Sequence, residues 1–306
     1  MKIIYGLTNF KPLKAKPVVA LGVFDGLHCG HQRIISRLIK QANRLKTKSL
    51  IVTFAPHPQK EKAIYSLSHR LKILKATGID LCLVIRFTPT FQKITAEKFL
   101  RDILIKKINP RVVFVGRNFT FGKNAGGNVS MLERYSQKVK FDLRLVDVLR
   151  YKGRPVSSSY IRNLINSGKL LRAKQLLGRP VTICGKVGGG LRLARRLGYP
   201  TANIIPEHEI IPAFGVYGVK VIIAKKVFCG ICYIGNRPTL NLSKTSIEVY
   251  IYNFKHNLYG RSVEVEFIKK IRSQKRFNSI QELAQQIKKD ILCYHNKFHS
   301  YQNTPQ

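Results

Sequence analysis

The stretch Leu21-Gly22-Val23-Phe24-Asp25-Gly26-Leu27-His28-Cys29-Gly30-His31-Gln32 decides how the first half of this chain is read. Before it runs an uninterrupted apolar segment, Val18, Val19, Ala20 and Leu21, of strand-like composition. After it, Ile34, Ile35, Leu38, Ile39, Ala42 and Leu45 recur at the spacing of an amphipathic helix. The stretch is therefore a strand end, a glycine-bearing turn and a helix start. The first N–H groups of a helix lack intrahelical partners and carry the positive end of its dipole, which makes such a turn an anion site. His28 and His31 stand at its mouth, and Gly22, Gly26 and Gly30 keep Cβ atoms away from a bound group. Imidazole can donate to phosphate oxygens, so the arrangement suits a nucleoside triphosphate.

Two plainer readings compete. His28, Cys29 and His31 could be part of a metal site, but no matching Cys or His pair follows at zinc spacing. A bare His-x-Gly-His is more often an ordinary helix start, and only the full Gly-x-Phe-Asp-Gly-x-His-x-Gly-His string after a strand outweighs that reading. The string resembles the signature of the nucleotidylyltransferase superfamily, in which it holds the phosphates of ATP while an attacking phosphate displaces pyrophosphate.

A chain of 306 residues, 44% of them hydrophobic, is expected to form two globular domains with ample cores. No apolar run approaches transmembrane length, and Asn9, Lys11, Lys14 and Lys16 interrupt the N-terminal apolar segment. No membrane partner and no signal peptide are therefore expected, and the chain is read as cytoplasmic. Six cysteines are scattered without a disulfide framework. Cys229 and Cys232 form a Cys-x-x-Cys within an apolar strand-like run, where side chains three apart point to opposite faces, so reduced thiols fit better than a redox pair. The net charge of +40 comes from 55 basic against 15 acidic residues spread along the whole chain. With no basic arm or nucleic-acid module, it reads as a Lys-rich surface favouring anionic substrates. No specific nucleic acid is expected, and any nonspecific binding would be weak and salt-sensitive.

Along the first half, a strand at 49–54, a helix at 70–75, a strand at 81–87, a helix at 96–106 and strands at 112–115 and 141–146 predict a doubly wound parallel α/β sheet. Ligands in such sheets sit at the carboxyl ends of strands. Gly116-Arg117-Asn118-Phe119-Thr120-Phe121-Gly122-Lys123 is not a P-loop, because five residues separate its glycines where four are required, and Asn124 replaces the hydroxyl residue. In Val156-Ser157-Ser158-Ser159-Tyr160-Ile161-Arg162 the serines are helix caps and Arg162 can grip a phosphate through two N–H groups; taken alone, capping explains the segment better.

The three segments, in this order and at this spacing, resemble the N-terminal module of the bacterial bifunctional riboflavin kinase/FAD synthetase family over roughly residues 1–176. The resemblance implies a nucleotidylyltransferase-type, Rossmann-like sheet and adenylyl transfer from ATP to FMN, giving FAD and pyrophosphate. It implies catalytic roles for His28 and His31 at the ATP phosphates, within a site that includes Gly22, Phe24, Asp25, Gly26 and Gly30. Asn118 and Arg162 would contact nucleotide or phosphate, framed by Ser157, Ser158 and Ser159. Such transfer needs positioning and charge neutralisation, with Mg²⁺, more than a covalent nucleophile.

From residue 181 the texture changes to short β-rich runs at 181–187, 216–223, 227–234, 246–254 and 262–271, which predict an antiparallel barrel or sandwich followed by a helix at 280–292. Gly188-Gly189-Gly190 is a close-approach or simply flexible turn. Thr201 and Asn203 offer two oxygens on one face of an extended segment, suited to Mg²⁺ and phosphate, although a capped loop explains them equally well.

Here the chain resembles the riboflavin kinase module of the same family, through Gly185-x-Val187, Leu197-Gly-Tyr-Pro200-Thr-Ala-Asn203, Gly215-Val-Tyr217, Gly235-Asn-Arg-Pro-Thr239, Glu248, Leu258-Tyr-Gly260 and Arg272. Residues 177–306 would then be a β-barrel kinase domain with a C-terminal helix. The resemblance implies that Thr201 and Asn203 bind Mg²⁺ and ATP, that Glu248 is the base assisting attack of the riboflavin hydroxyl, and that Gly185, Gly190, Pro200 and Arg272 line the ATP and flavin site. On spacing alone Glu248 is equally an outward-facing strand residue. The chain departs from the family pattern at Leu193-Ala194, at Asn253 and at Arg117. Competing readings are a nucleotidylyltransferase for another phosphate acceptor, against which the barrel segment speaks, and a basic RNA-binding protein, which rests on charge alone.

Overall fold

The computed structural model describes all residues except 59–61, 190–197, 208–209, 238–241, 255 and 303–306. The chain divides into two compact units, Met1–Ser158 and Ser159–Gln306.

The first unit is a six-stranded, wholly parallel sheet. Its strands are β1 (Lys2–Tyr5), β2 (Val18–Leu21), β3 (Ser49–Ala55), β4 (Leu81–Arg86), β5 (Val112–Gly116) and β6 (Asp142–Val146), in the order β1-β4-β3-β2-β5-β6. The short edge strand β1 has no run of its own long enough to be read from sequence; it is recruited by pairing with β4. Helices cover both faces, so β2 is buried at all four positions. Val18 and Ala20 pack with Ile34, Ile35, Leu38 and Ala42 of helix α1 (Cys29–Arg44). Val19 and Leu21 pack on the opposite face with Leu100, Ile103, Leu104 and Leu132. Strand order reverses between β2 and β5, whose neighbours lead outward in opposite directions. That switch point is where an α/β sheet opens a crevice for ligand.

Helix α2 (Leu67–Lys75) follows β3, α3 (Pro89–Gln92) follows β4, and α5 (Val129–Val139) precedes β6. The helix expected at 96–106 is α-helical only over α4 (Ala96–Lys98) and then winds as a π-helix over Phe99–Ile108. Its buried residues Phe99, Leu100, Ile103, Leu104 and Ile108 recur at about 4.5 positions, a stripe that the wider winding keeps on one face. Two short strands, β7 (Arg150–Tyr151) and β8 (Arg154–Pro155), form a hairpin after β6.

Helix α6 (Ser158–Asn166) spans the division between the units, and α7 (Leu170–Leu177) belongs to the second. The second unit is a closed antiparallel barrel of β9 (Val181–Gly188), β10 (Thr201–Pro206), β11 (Gly215–Ile223), β12 (Lys226–Arg237), β13 (Leu242–Ile251) and β14 (Ser262–Arg272), in the order β10-β13-β12-β11-β14-β9. Burial alternates along the strands, with Val263, Val265 and Phe267 inside and Glu264 and Glu266 less buried between them. Cys232 lies inside and Cys229 on the opposite face of β12, both as free thiols, and burial pushes the Cys232 thiol well above its ordinary range.

Helix α8 (Ile280–Gln302) extends ten residues beyond the helix expected to end at 292. It packs on the outside of the barrel, where Tyr294 and Ile291 meet Val216, Ile231 and Tyr252. Gly218 is required there: a Cβ would stand 2.0 Å from Cε2 of Tyr294.

Candidate active sites

In the first unit β2 stops at Leu21 and the backbone enters the left-handed region at Phe24 (φ 53°), Gly26 (φ 70°) and Leu27 (φ 45°). This turn reverses the chain so that α1 starts at the carboxyl end of the sheet. His28 caps α1, its Nδ1 accepting from the His31 amide at 3.4 Å. The His28 and His31 rings stack at 3.7 Å and 19°, and the Phe24 ring meets His31 edge-on at 5.3 Å. Gly30 is what leaves room for this stack, since a Cβ there would lie 3.1 Å from Cε1 of His28. Gly22 similarly accommodates Phe24, with a Cβ at 3.2 Å from Cε2 of that ring.

Asp25 faces inward and is buried; its Oδ1 accepts from the Ile64 amide at 2.9 Å, so it braces the turn. Gln32 Nε2 donates to the Leu27 carbonyl at 2.9 Å and Ser158 Oγ to the Asp25 carbonyl at 3.0 Å. Sequence reasoning missed Arg70, on α2: its Nη1 donates to the Val23 carbonyl at 2.6 Å and its Nη2 to the Phe54 carbonyl at 3.1 Å. Burial pulls the Arg70 guanidinium below its ordinary value, opposed by the Asp25 carboxylate. The one signal in the sequence was a cation at a position where α2 needs an apolar residue.

Asn118 is exposed in the loop after β5. That loop is pinned from beneath, because Phe121 packs on Phe99 at 5.5 Å and Gly122 (φ 75°) lies so close to Ala96 that a Cβ would stand 2.6 Å from its amide nitrogen. Arg117 pairs with Asp147, which holds the Asp147 carboxyl below its usual range, helped by Arg33 and Arg37. Ser157 and Ser158 close the first unit; Ser159 and the buried Arg162 belong to the second, where Arg162 Nη1 donates to Ser159 Oγ at 3.3 Å.

In the barrel, register brings the other residues together. Asn203 on β10 stands directly opposite Glu248 on β13. Thr201 Oγ1 donates to Glu248 Oε2 at 3.3 Å and Ser246 Oγ to Oε1 at 2.9 Å. Tyr233 of β12 is the next residue across from Glu248, and it joins the cluster under α8, so the carboxylate is on the outer face of the barrel beside Thr201 and Asn203. Tyr199, Tyr250 and Tyr252 form an aromatic row on that face, with ring centroids 5.9 and 5.6 Å apart. Pro200 is exposed at the start of β10. Gly185 faces the neighbouring backbone, where a Cβ would be 2.4 Å from the Ile205 carbonyl oxygen, so its place is explained by strand contact. Arg272, half-buried, forms a fork with the buried Asp290 of α8, at 2.8 to 3.0 Å. Gly190, together with Leu193 and Ala194, lies outside the described residues.

Fold and sites together define a protein of two modules, a nucleotide-binding parallel sheet ahead of an antiparallel barrel carrying a carboxylate among hydroxyl and amide groups. The sequence matches the FAD synthetase family over residues 11–160 and the riboflavin kinase family over residues 177–298. It is 37% identical over 302 residues to the bifunctional riboflavin kinase/FMN adenylyltransferase of Buchnera aphidicola subsp. Schizaphis graminum, covering 95% of this chain and 97% of that one. It is 33% identical over 292 residues to the protein of the same name from Bacillus subtilis, covering 92% of each. A solved structure described as a macrolide-efflux protein, from Streptococcus pneumoniae, has a TM-score of 0.85 at 28% identity and covers 96% of this chain and 99% of that one. Among the described residues no helix is long and apolar enough to cross a membrane. The chain belongs to the bifunctional riboflavin kinase/FMN adenylyltransferase family, and its two modules follow in the order FAD synthetase, riboflavin kinase.

Proposed function

We propose that residues 1–176 adenylylate FMN and residues 177–306 phosphorylate riboflavin, with the residues assembled above in the following roles. In the barrel, Glu248 accepts the proton of the riboflavin ribityl hydroxyl as its oxygen bonds to the γ-phosphorus of ATP; FMN forms and ADP leaves. Ser246 and Thr201 donate to the two oxygens of Glu248, which holds the carboxylate at a fixed angle for that transfer. Thr201, Asn203 and Glu248 supply hard oxygen donors on one face, a set that fits Mg²⁺; Thr201 and Asn203 would hold it, and when bound it neutralises phosphate charge. The Tyr250 row offers an apolar surface beside this group for the flavin ring.

In the sheet module a phosphate oxygen of FMN attacks the α-phosphorus of ATP, and the bond to pyrophosphate breaks. His28 and His31 donate to the phosphates at the start of α1, where the helix amides add partial positive charge. Within the first unit, Asn118, Ser157 and Ser158 complete the nucleotide and phosphate contacts. Charge placement of this kind is sufficient chemistry for the step, because the transition state develops charge on oxygen and asks for no covalent nucleophile.

The observation that carries this reading is the meeting of Thr201, Asn203 and Glu248 across β10 and β13, residues that only the barrel register brings together. The test is a chromatographic time course with riboflavin, ATP and Mg²⁺, alongside His28→Ala and Glu248→Ala. The expected result is FAD from the unsubstituted chain, accumulation of FMN in His28→Ala, and in Glu248→Ala no FMN from riboflavin but FAD from supplied FMN. Loss of both activities in either variant would contradict the division of labour. Conversion of another phosphate acceptor in place of FMN would overturn the substrate.

A further inference from the structure

We propose that Arg70 is a positioning residue for adenylyl transfer, a role that rests on the reading of His28 and His31 above. The turn that aims those rings places two non-glycine residues, Phe24 and Leu27, in the left-handed region. A non-glycine residue in that region is strained and persists only where its surroundings over-determine it. Arg70 is the centre of those surroundings. It is 5% exposed, and its fork reaches the carbonyls of Val23 and Phe54, at the carboxyl ends of two neighbouring strands. Thr53 Oγ1 donates to the same Val23 carbonyl at 2.8 Å and lies 3.3 Å from Arg70 Nη1, while Asp25 balances the charge and is itself tied to the Ile64 amide.

The link to the chemistry is short. Val23 immediately precedes Phe24, whose φ of 53° sets the ring that meets His31 edge-on at 5.3 Å. Releasing the Val23 carbonyl lets the Phe24 backbone relax toward ordinary φ, which withdraws that ring and slackens the His28–His31 stack. A lysine cannot replace the fork, because a single ammonium cannot bridge two carbonyls on different strands in a fixed plane. Arg70 reaches Val23 through α2, so it acts on the histidines through the backbone and its loss leaves the helix amides in place to bind phosphate.

The experiment compares the intact chain with Arg70→Lys, Arg70→Met and Thr53→Val, with FMN adenylylation, riboflavin phosphorylation, thermal unfolding and the nitrogen chemical shifts of the His28 and His31 rings as readouts. Misplacement of about an ångström predicts a fall in adenylylation kcat of roughly 10–100-fold for both Arg70 variants, and a smaller one for Thr53→Val. KM for ATP stays within a few-fold, riboflavin phosphorylation is retained, and the two ring signals move. An Arg70→Lys kcat equal to that of the unsubstituted chain overturns the proposal, as does a loss that only tracks unfolding, with unmoved ring signals. Should Arg70→Met not fold, Arg70→Lys and Thr53→Val decide. Absence of FAD synthesis by the unsubstituted chain would instead refute the activity reading, and the ring signals of Arg70→Lys would still decide whether Arg70 positions the histidines.

Discussion

The two sites in this molecule are built by opposite means. In the sheet module the chain leaves regular structure: the backbone turns left-handed at Phe24, Gly26 and Leu27, and imidazoles gather at a helix start. In the barrel the pairing of β10 with β13 runs without a register shift, and it sets a carboxylate among hydroxyl groups. The first site concentrates donors and partial positive charge, as a phosphate under attack requires. The second presents an acceptor, as a hydroxyl losing its proton requires. Loop-built sites depend on buttresses, here Arg70, Asp25 and Gln32, whereas a register-built site inherits its precision from the whole barrel.

The comparison can be broken most sharply at Glu248. Glu248→Gln keeps the size and removes the base, so riboflavin phosphorylation should fall about 10²–10⁴-fold with FMN adenylylation unchanged, as separate assays on each flavin would register. Gly30→Ala probes the other site: the added Cβ, 3.1 Å from the His28 ring, must displace it by a few tenths of an ångström. Adenylylation kcat should then drop roughly tenfold while the kinase is spared. Asp290→Ala removes the carboxylate that the Arg272 fork holds, only 7% exposed on the Asp290 side. Steady-state unfolding should report a loss of about 2 kcal/mol from the barrel module, at the low end for a buried pair because Arg272 is partly open to solvent.

The smallest effect is expected at Asp80, far from either chemistry. Burial raises its pKa, but hydrogen bonds from the Ser49 amide and hydroxyl and from Lys48 outweigh it and leave the carboxyl below its ordinary value. A depressed acid stabilises the folded state above its unfolded pKa, and that contribution is lost as pH falls through the folded value. Melting temperatures of the unsubstituted chain and Asp80→Asn should therefore differ at neutral pH and converge in acid. A gap that widens in acid would reverse the sign of the argument.

Much of the fold was legible because its signals are local. The run from Val18 and the helical spacing from Ile34 announced a strand and a helix, and the short β-rich segments announced a barrel. The π-winding of Phe99–Ile108 and the edge strand β1 were not legible, since the first depends on which face the sheet covers and the second on a partner 79 residues away, as in the pairing of Lys2 with Leu81. The candidate residues divide in the same way. His28 and His31 were readable as a pair from their spacing. The close approach of the Ile205 carbonyl to Gly185 and the pairing of Arg272 with Asp290 were not readable, since both depend on partners from other elements.

By itself, the amino-acid sequence determined the strand-turn-helix at residues 18–44, the texture change near residue 181 and the chemistry of the groups available, because periodicity, glycine placement and side-chain type act within a few residues. Tertiary structure alone decided that Asn203 and Thr201 meet Glu248, that Arg70 clamps the ends of β2 and β3, and that Asp290 receives Arg272. Those pairings join residues 16 to 47 positions apart, and they are settled by strand register and by the packing of helices on the sheet and barrel, quantities that no local pattern encodes.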